Sequence, residues 1–446
     1  YYTTNSYVWH LNPLPPADFC KKLFKKFFSI RLTFLSQRDK IEMVGKTMLI
    51  FENFFYGGIF TMARFILNET SYFGAGCRSE LATEIKARGF KKALVVTDKD
   101  LVKFGVFDMV KKVLDDNKIE YALFDDVKAN PTVKNVKDGL KAFRDAKADC
   151  LVAIGGGSVI DTTKAIGIII ENPAFEDVVS LEGVAATTKK CVPTIALPTT
   201  AGTAAETTIN YVIIDEDTHR KMVCVDVHDI PDVAIIDAEL MASMPKGLTA
   251  ATGMDALTHA IESYITPGAW EMSDMMEYKA IELIATHLRN AVANGKDMVA
   301  REGMALGQYI AGMGFSNVGL GIVHSMAHPL SARFDVPHGV ACAALLPTVM
   351  AYNAESASKP KYRGIAKAMG VEGVDKMNDD EAAKAAIAAV QKLSDDVNIP
   401  KTISELGITE KDLDQLSKDA FADVCTGGNP RPTSVEEIKK LYEKKL

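Results

Sequence analysis

The 446 residues are 48% hydrophobic and 24% charged, with a formal net charge of −7. This is the balance of a globular chain long enough for two substantial cores. Without a basic stripe interleaved with aromatics it gives nucleic acid nothing to bind. Seven cysteines lie scattered with no CxxC, which fits a reducing compartment, the cytoplasm, and no apolar run reaches the roughly 18 residues that a membrane span needs.

Residues 1–61 do not match the rest. They hold nine of the twenty Phe, and eight Lys or Arg against four Asp or Glu. KKLFKKFFSIR has the pattern of a basic amphipathic helix but lacks the apolar core and small-residue cleavage site of a targeting peptide. We expect this stretch to be translated upstream DNA and to lie outside the fold. The body begins at Met62 with ARFILNETSYFGAG, an extended stretch ending in a glycine turn.

Helical patterns and short apolar strands then alternate. SELATEIKARG leads to a strand at 93–97, a helix at 106–117 to a strand at 121–124, and a helix at 133–147 to a strand at 150–154. This alternation predicts a parallel sheet covered on both faces. CLVAI runs straight into GGGSVIDTTKA, where glycines at a helix start offer free N–H groups and a positive dipole end to a phosphate. Ser158 and Asp161 also read as a helix capping box. Asp98, just past its strand, is placed either to bind a ribose hydroxyl and repel a 2′-phosphate, favouring NAD over NADP, or to cap a helix. The hydroxyl-rich loop PTTAGTAAETTINY lets a flat ligand approach the backbone, while Lys221, beyond a hairpin, reads by itself as a solvated charge.

After Pro245 the pattern is helical almost throughout, at 248–264, 273–290, 299–313, 320–331, 339–353, 380–397, 408–421 and 434–444, so a domain boundary is expected near 244. Two i,i+4 pairs stand out here: Asp255 with His259, and His324 with His328. Each pair shares a helix face, and His338 follows beyond a loop. Ser325 replaces the glutamate of a zinc-protease HExxH helix. The constellation predicts one divalent ion held by imidazoles and a carboxylate. Pro329 is expected to sit near the end or bend of its helix.

GGGSVIDTTKA, PTTAGTAAE, ATGMDALTHAIE, GLGIVHSMAHPLSA and PHGVACAALLP, in this order, resemble the iron-dependent (group III) alcohol dehydrogenases from about Met62 to the C-terminus. The resemblance implies an α/β N-terminal domain with a parallel sheet, Rossmann-like and dehydroquinate-synthase-like, and an all-α metal-binding C-terminal domain. It implies hydride transfer between NAD(H) and a small alcohol or aldehyde in a homodimer. Metal ligands are implied at Asp255, His259, His324 and His338, holding Fe²⁺ although Zn²⁺ suits the same donors, and His328 is implied beside the substrate as a candidate proton donor. Cofactor contacts are implied at Asp98, Asn130, Gly155, Gly156, Gly157, Ser158, Thr199, Thr200, Thr203, Thr208, Asn210 and Lys221. Phe315 and Cys425 are implied at the substrate and nicotinamide end. A non-redox lyase of the dehydroquinate-synthase type would instead need several Lys or Arg near its site, and the helical motifs are poor in them.

Overall fold

A computed structural model describes residues 63–218 and 220–446. The extension at 1–61 lies outside the described residues, and residues 65–446 form one compact unit.

In chain order the first part of this unit is β1 (Thr70–Phe73), α1 (Glu80–Arg88), β2 (Lys92–Val96), α2 (Lys99–Lys103), α3 (Val106–Asp116), β3 (Glu120–Phe124), α4 (Val133–Ala146), β4 (Cys150–Gly155), α5 (Gly157–Glu171), β5 (Gly183–Val184), β6 (Thr194–Pro198), β7 (Asn210–Asp215), β8 (Arg220–Val225) and β9 (Val233–Ile236). Six strands form a parallel sheet in the order β1-β9-β6-β4-β2-β3. The central strands read as unbroken apolar runs because helices cover both faces. Leu94, Val96, Leu151 and Ala153 pack against α4 and α5, while Val95, Val152, Ile154 and Ile195 pack against α1 and α3. β5, β8 and β7 make a second, small sheet, with β7 and β8 antiparallel as the hairpin. β1 is accounted for within the chain, pairing with β9 from Thr70 opposite Val233 to Phe73 opposite Ile236.

The connections leave β2 toward β3 on one side and β4 toward β6 on the other, so the sheet reverses direction between the neighbours β2 and β4. A crevice opens at such a switch point, outside the C-terminal strand ends, and the loops after β2, β4 and β6 meet there.

The helical part comprises α6 (Lys246–Ile265), α7 (Glu271–Ala293), α8 (Met298–Val318), α9 (Ile322–Phe334), α10 (His338–Asn353), α11 (Tyr362–Ala368), α12 (Asp379–Asp396), α13 (Leu413–Ala422) and α14 (Val435–Glu443). α6 is buried nearly all round, as a central helix must be when it is apolar on every side. α8 closes on the hydroxyl-rich loop after β6: the Ile209 N–H donates to Ser316 Oγ at 3.0 Å, and a Cβ on Gly312 would lie 2.3 Å from that of Ala204.

Two local expectations are corrected. The helix does not end at Pro329: α9 continues to Phe334, because its flanking faces are buried, Leu330 completely, and this packing outweighs the roughly 3 kcal/mol that an interior proline costs. No Ser158–Asp161 capping box forms. Gly156 is the N-cap of α5 without a side-chain cap, Ser158 Oγ accepts the Asn130 N–H at 3.3 Å, and the half-buried Asp161 carboxylate accepts the Val212 N–H at 3.0 Å.

Candidate active site

A cleft runs from the start of α5 to the junction of α6, α9 and α10. At one end it is lined by Asn130, Gly157, Ser158, Thr203, Thr208 and Asn210, at the other by Asp255, His259, Phe315, His324, His328, His338 and Cys425, with Lys221 also on its wall near Asp255 and His338. Asp98, Gly155, Gly156, Thr199 and Thr200 are not among its lining residues. Asp98 does cap α2, accepting the Leu101 N–H at 2.8 Å, yet it stands at the end of β2 beside the reversal point. Burial raises its pKa, with the Leu101 and Asp100 N–H groups acting against that.

The glycines have a packing reason independent of any ligand. A Cβ on Gly156 would come within 3.1 Å of Thr200 Cγ2, and one on Gly157 within 2.8 Å of Thr203 Cγ2. Neither backbone is left-handed; the glycines are needed for close approach. Lys164, fully buried on α5, ties down the loop that follows β6, its Nζ donating to the Thr208 carbonyl at 2.5 Å and that of Asn210 at 2.8 Å. Lys221 is no solvated charge. It reaches the cleft from β8, and burial lowers its pKa despite Cys342, Asp255 and Asp161 nearby.

Three helices assemble the other end. α6 presents Asp255, His259 and Glu262 on one face at i, i+4 and i+7, α9 presents His324 and His328, and α10 begins on His338. α10 seats tightly on α6 because residue 339 is glycine: a Cβ there would lie 2.2 Å from the Ala251 carbonyl oxygen. Asp255 Oδ1 is consequently 3.9 Å from His324 Nε2 and 3.7 Å from His338 Nε2. The ring of His259 stacks on His324 at 4.5 Å and on Phe315 at 4.2 Å.

Asp255 Oδ1, His259 Nδ1, His324 Nε2 and His338 Nδ1 are all buried and all without a hydrogen-bond partner. Asp255 Oδ1 and His324 Nε2 stand 3.9 Å apart with His338 Nε2 beside them, and orphaned polar atoms so placed carry a desolvation cost that a bound cation would relieve. Burial raises the pKa of Asp255 and holds those of His259 and His338 far below the usual histidine value. Burial also opposes charge on His324, but the hydrogen bond and charge of Glu262 outweigh it and raise that pKa. The donor set fits a divalent first-row ion. Ligand atoms of Asp255, His324, His338 and Cys342 lie within 4.8 Å of one another, a group that does not include His259.

The sequence reading missed three residues here. Glu262 Oε2 accepts from His324 Nδ1 at 2.6 Å and its Oε1 from the Val323 N–H at 2.7 Å, fixing the His324 tautomer. Its signal was available, since it lies three residues after His259 on the same face. Cys342, one turn after His338, was equally legible by spacing. Asp423, which pairs with His328 Nδ1 at 2.7 Å, comes from 95 residues away and has no local signature. Burial alone would raise the Asp423 pKa, but His328 and the Cys425 N–H take it down to about 2. Glu262→Gln is expected to weaken metal affinity by about 10- to 100-fold, measured by chelator competition; unchanged affinity would show that Glu262 does not orient His324.

Residues 68–238 match the family described as Iron-containing alcohol dehydrogenase, and residues 249–446 the Fe-containing alcohol dehydrogenase family, C-terminal. The chain belongs to the iron-containing alcohol dehydrogenase family and is an oxidoreductase. Within it, the chain is 57% identical over 379 residues to lactaldehyde reductase of Escherichia coli (strain K12), covering 85% of this chain and 98% of that protein. The crystal structure of a 1,3-propanediol oxidoreductase superposes with a TM-score of 0.84 at 41% identity, over 86% of this chain and all of that one. A sulfoacetaldehyde reductase from Bifidobacterium kashiwanohense in complex with NAD⁺ superposes with a TM-score of 0.77 at 28% identity, over 86% and 99% of the two chains.

Proposed function

We propose that the chain is an Fe²⁺-dependent NAD(H) oxidoreductase that interconverts lactaldehyde and 1,2-propanediol by hydride transfer. The observation that carries the metal-dependent chemistry is the pair of buried, unpartnered atoms Asp255 Oδ1 and His324 Nε2, facing each other and His338 Nε2 in the cleft that begins at the glycine loop. The substrate rests on the identity to lactaldehyde reductase.

In this reading Asp255, His259, His324 and His338 hold the ion, with Zn²⁺ able to use the same donors. When bound, Fe²⁺ supplies Lewis-acid stabilisation of negative charge on the substrate oxygen, and the nicotinamide supplies or receives the hydride. The chain's own residues do the rest. Backbone N–H groups of Gly155, Gly156, Gly157 and Ser158 at the α5 N-terminus bind the pyrophosphate, and Asp98 binds the ribose. Asn130, Thr199, Thr200, Thr203, Thr208, Asn210 and Lys221 fix the remaining polar groups of the dinucleotide. Phe315 and Cys425 wall the substrate end and keep water from it. We place the boundary between the dinucleotide-binding and metal-binding domains at residue 244, and the enzyme in the cytoplasm as a homodimer; a monomer at micromolar concentration in a size measurement would remove the dimer.

His328 holds the proton. Its Nδ1 is engaged by Asp423, which leaves Nε2 as the nitrogen that exchanges a proton with the cleft. His328→Ala is expected to lower kcat by roughly 10²- to 10⁴-fold and to remove a limb of its pH profile. An unchanged profile would take the proton role from His328.

The test of the function is NADH oxidation with L-lactaldehyde after anaerobic Fe²⁺ loading. Turnover is expected with iron and little with zinc or without metal; no turnover with iron overturns the substrate. The second reading, a broad primary-alcohol or butanol dehydrogenase, draws on relatives such as the NAD-dependent methanol dehydrogenase of Bacillus methanolicus, 40% identical over 385 residues. Equal kcat/KM for butanal and lactaldehyde would favour it.

A further inference from the structure

Cys342 has no part in the reaction above, yet its thiol is completely buried at the metal end of the cleft. His338 and Cys342 are one turn apart on α10 and project from the same face. The tight seating of α10 on α6 at Gly339 brings both toward Asp255. Cys342 Sγ lies 3.6 Å from His338 Nε2, and one ligand atom each of Asp255, His324, His338 and Cys342 fall within 4.8 Å of one another. Three of those groups have buried atoms without any partner, Asp255 Oδ1, His324 Nε2 and His338 Nδ1, and the first two face each other at 3.9 Å. His259, stacked between Phe315 and His324, stands outside this set.

We propose that the site contains a second, overlapping ligand set, Asp255, His324, His338 and Cys342, that takes a softer divalent ion, Zn²⁺, through the Cys342 sulfur. The proposal rests on the reading of this cluster as a metal centre. Three donors are shared between the sets; exchanging His259 for Cys342 converts an N/O site into an N/O/S site. Thiolate sulfur selects zinc over iron among ions that an imidazole–carboxylate set would accept with less discrimination. Binding by this set forms a Zn–S bond and releases the thiol proton to water, with no change in oxidation state. Four protein donors around one zinc make a closed site, whereas a catalytic ion keeps a position open.

The test uses the full chain, stripped of metal and reloaded. With Co²⁺ as a coloured stand-in for zinc, the wild type is expected to show near-ultraviolet thiolate-to-cobalt charge-transfer absorption. Cys342→Ser and Cys342→Ala should lose it, while His259→Ala and Cys425→Ser keep it. In Zn²⁺/Fe²⁺ competition, Cys342→Ser should lower the preference for zinc by about tenfold or more. X-ray absorption of the zinc-loaded wild type should find one sulfur at about 2.3 Å, a readout that needs no variant to fold. Full cobalt occupancy with identical spectra in wild type and Cys342→Ser, and no sulfur at zinc, would overturn the proposal while leaving the metal centre intact. No stoichiometric binding of Co²⁺, Zn²⁺ or Fe²⁺ would overturn the metal centre itself and this proposal with it.

Discussion

Asp255→Asn is expected to bring bound metal close to zero and to lower aldehyde turnover by at least about 10³-fold. The substitution preserves the side chain's size, so α6 keeps its packing and only the negative charge is lost. In the folded chain Asp255 Oδ1 faces His324 Nε2 and His338 Nε2 at under 4 Å, with no hydrogen bond of its own and 2% exposure. It is the carboxylate of the cluster and the group best able to offset the charge of a dication. Lewis-acid stabilisation of a developing oxyanion is worth several kcal/mol, and each tenfold in rate is about 1.4 kcal/mol. Metal analysis and steady-state kinetics on the iron-loaded variant check this together. One equivalent of tightly held iron in Asp255→Asn would falsify the assignment of Asp255 as a ligand.

Gly339→Ala should destabilise the chain by about 1–3 kcal/mol and weaken metal binding in parallel. The new Cβ would sit 2.2 Å from the Ala251 carbonyl oxygen and 3.2 Å from Asp255 Cβ. The first is backbone inside α6, which cannot move aside as a side chain can, so α10 must shift outward. His338 is the first residue of α10 and moves with it, away from Asp255. Gly247→Ala is the control: it lies in the exposed first turn of α6, a Cβ there meets nothing within 4 Å, and alanine favours helix, so stability should hold or rise. Denaturant midpoints and chelator-competition affinities for both variants decide the matter. Loss of stability without loss of metal affinity would mean that the α6–α10 spacing does not set the site.

Much of this architecture is legible in the chain because its signals are local. The alternation up to residue 154 follows from apolar runs separated by amphipathic helices, and the structure puts those strands and helices within a residue or two of the expected positions. The i,i+4 pairs at Asp255–His259 and His324–His328 work for the same reason, since helix geometry alone sets their common face. Where the reading fails, distant packing decides. Pro329 has a breaker's chemistry, yet burial of its neighbours carries α9 through it. Ser158 and Asp161 have the spacing of a cap, but the β-hairpin backbone at Val212 claims the aspartate. Lys221 looks like a hairpin charge until the sheet turns it into the cleft. Asp423 cannot be matched to His328 without the fold.

The pairing of His328 with Asp423 also sets a timetable for synthesis. All six strands of the parallel sheet have been made by residue 236, and every group proposed to hold the dinucleotide precedes residue 222. The carboxylate that orients His328 is added 95 residues after the imidazole itself. A growing polypeptide on the ribosome therefore has all the residues of its sheet about 190 residues before the His328–Asp423 pair can close, and one released short of Asp423 leaves that imidazole without its anchor.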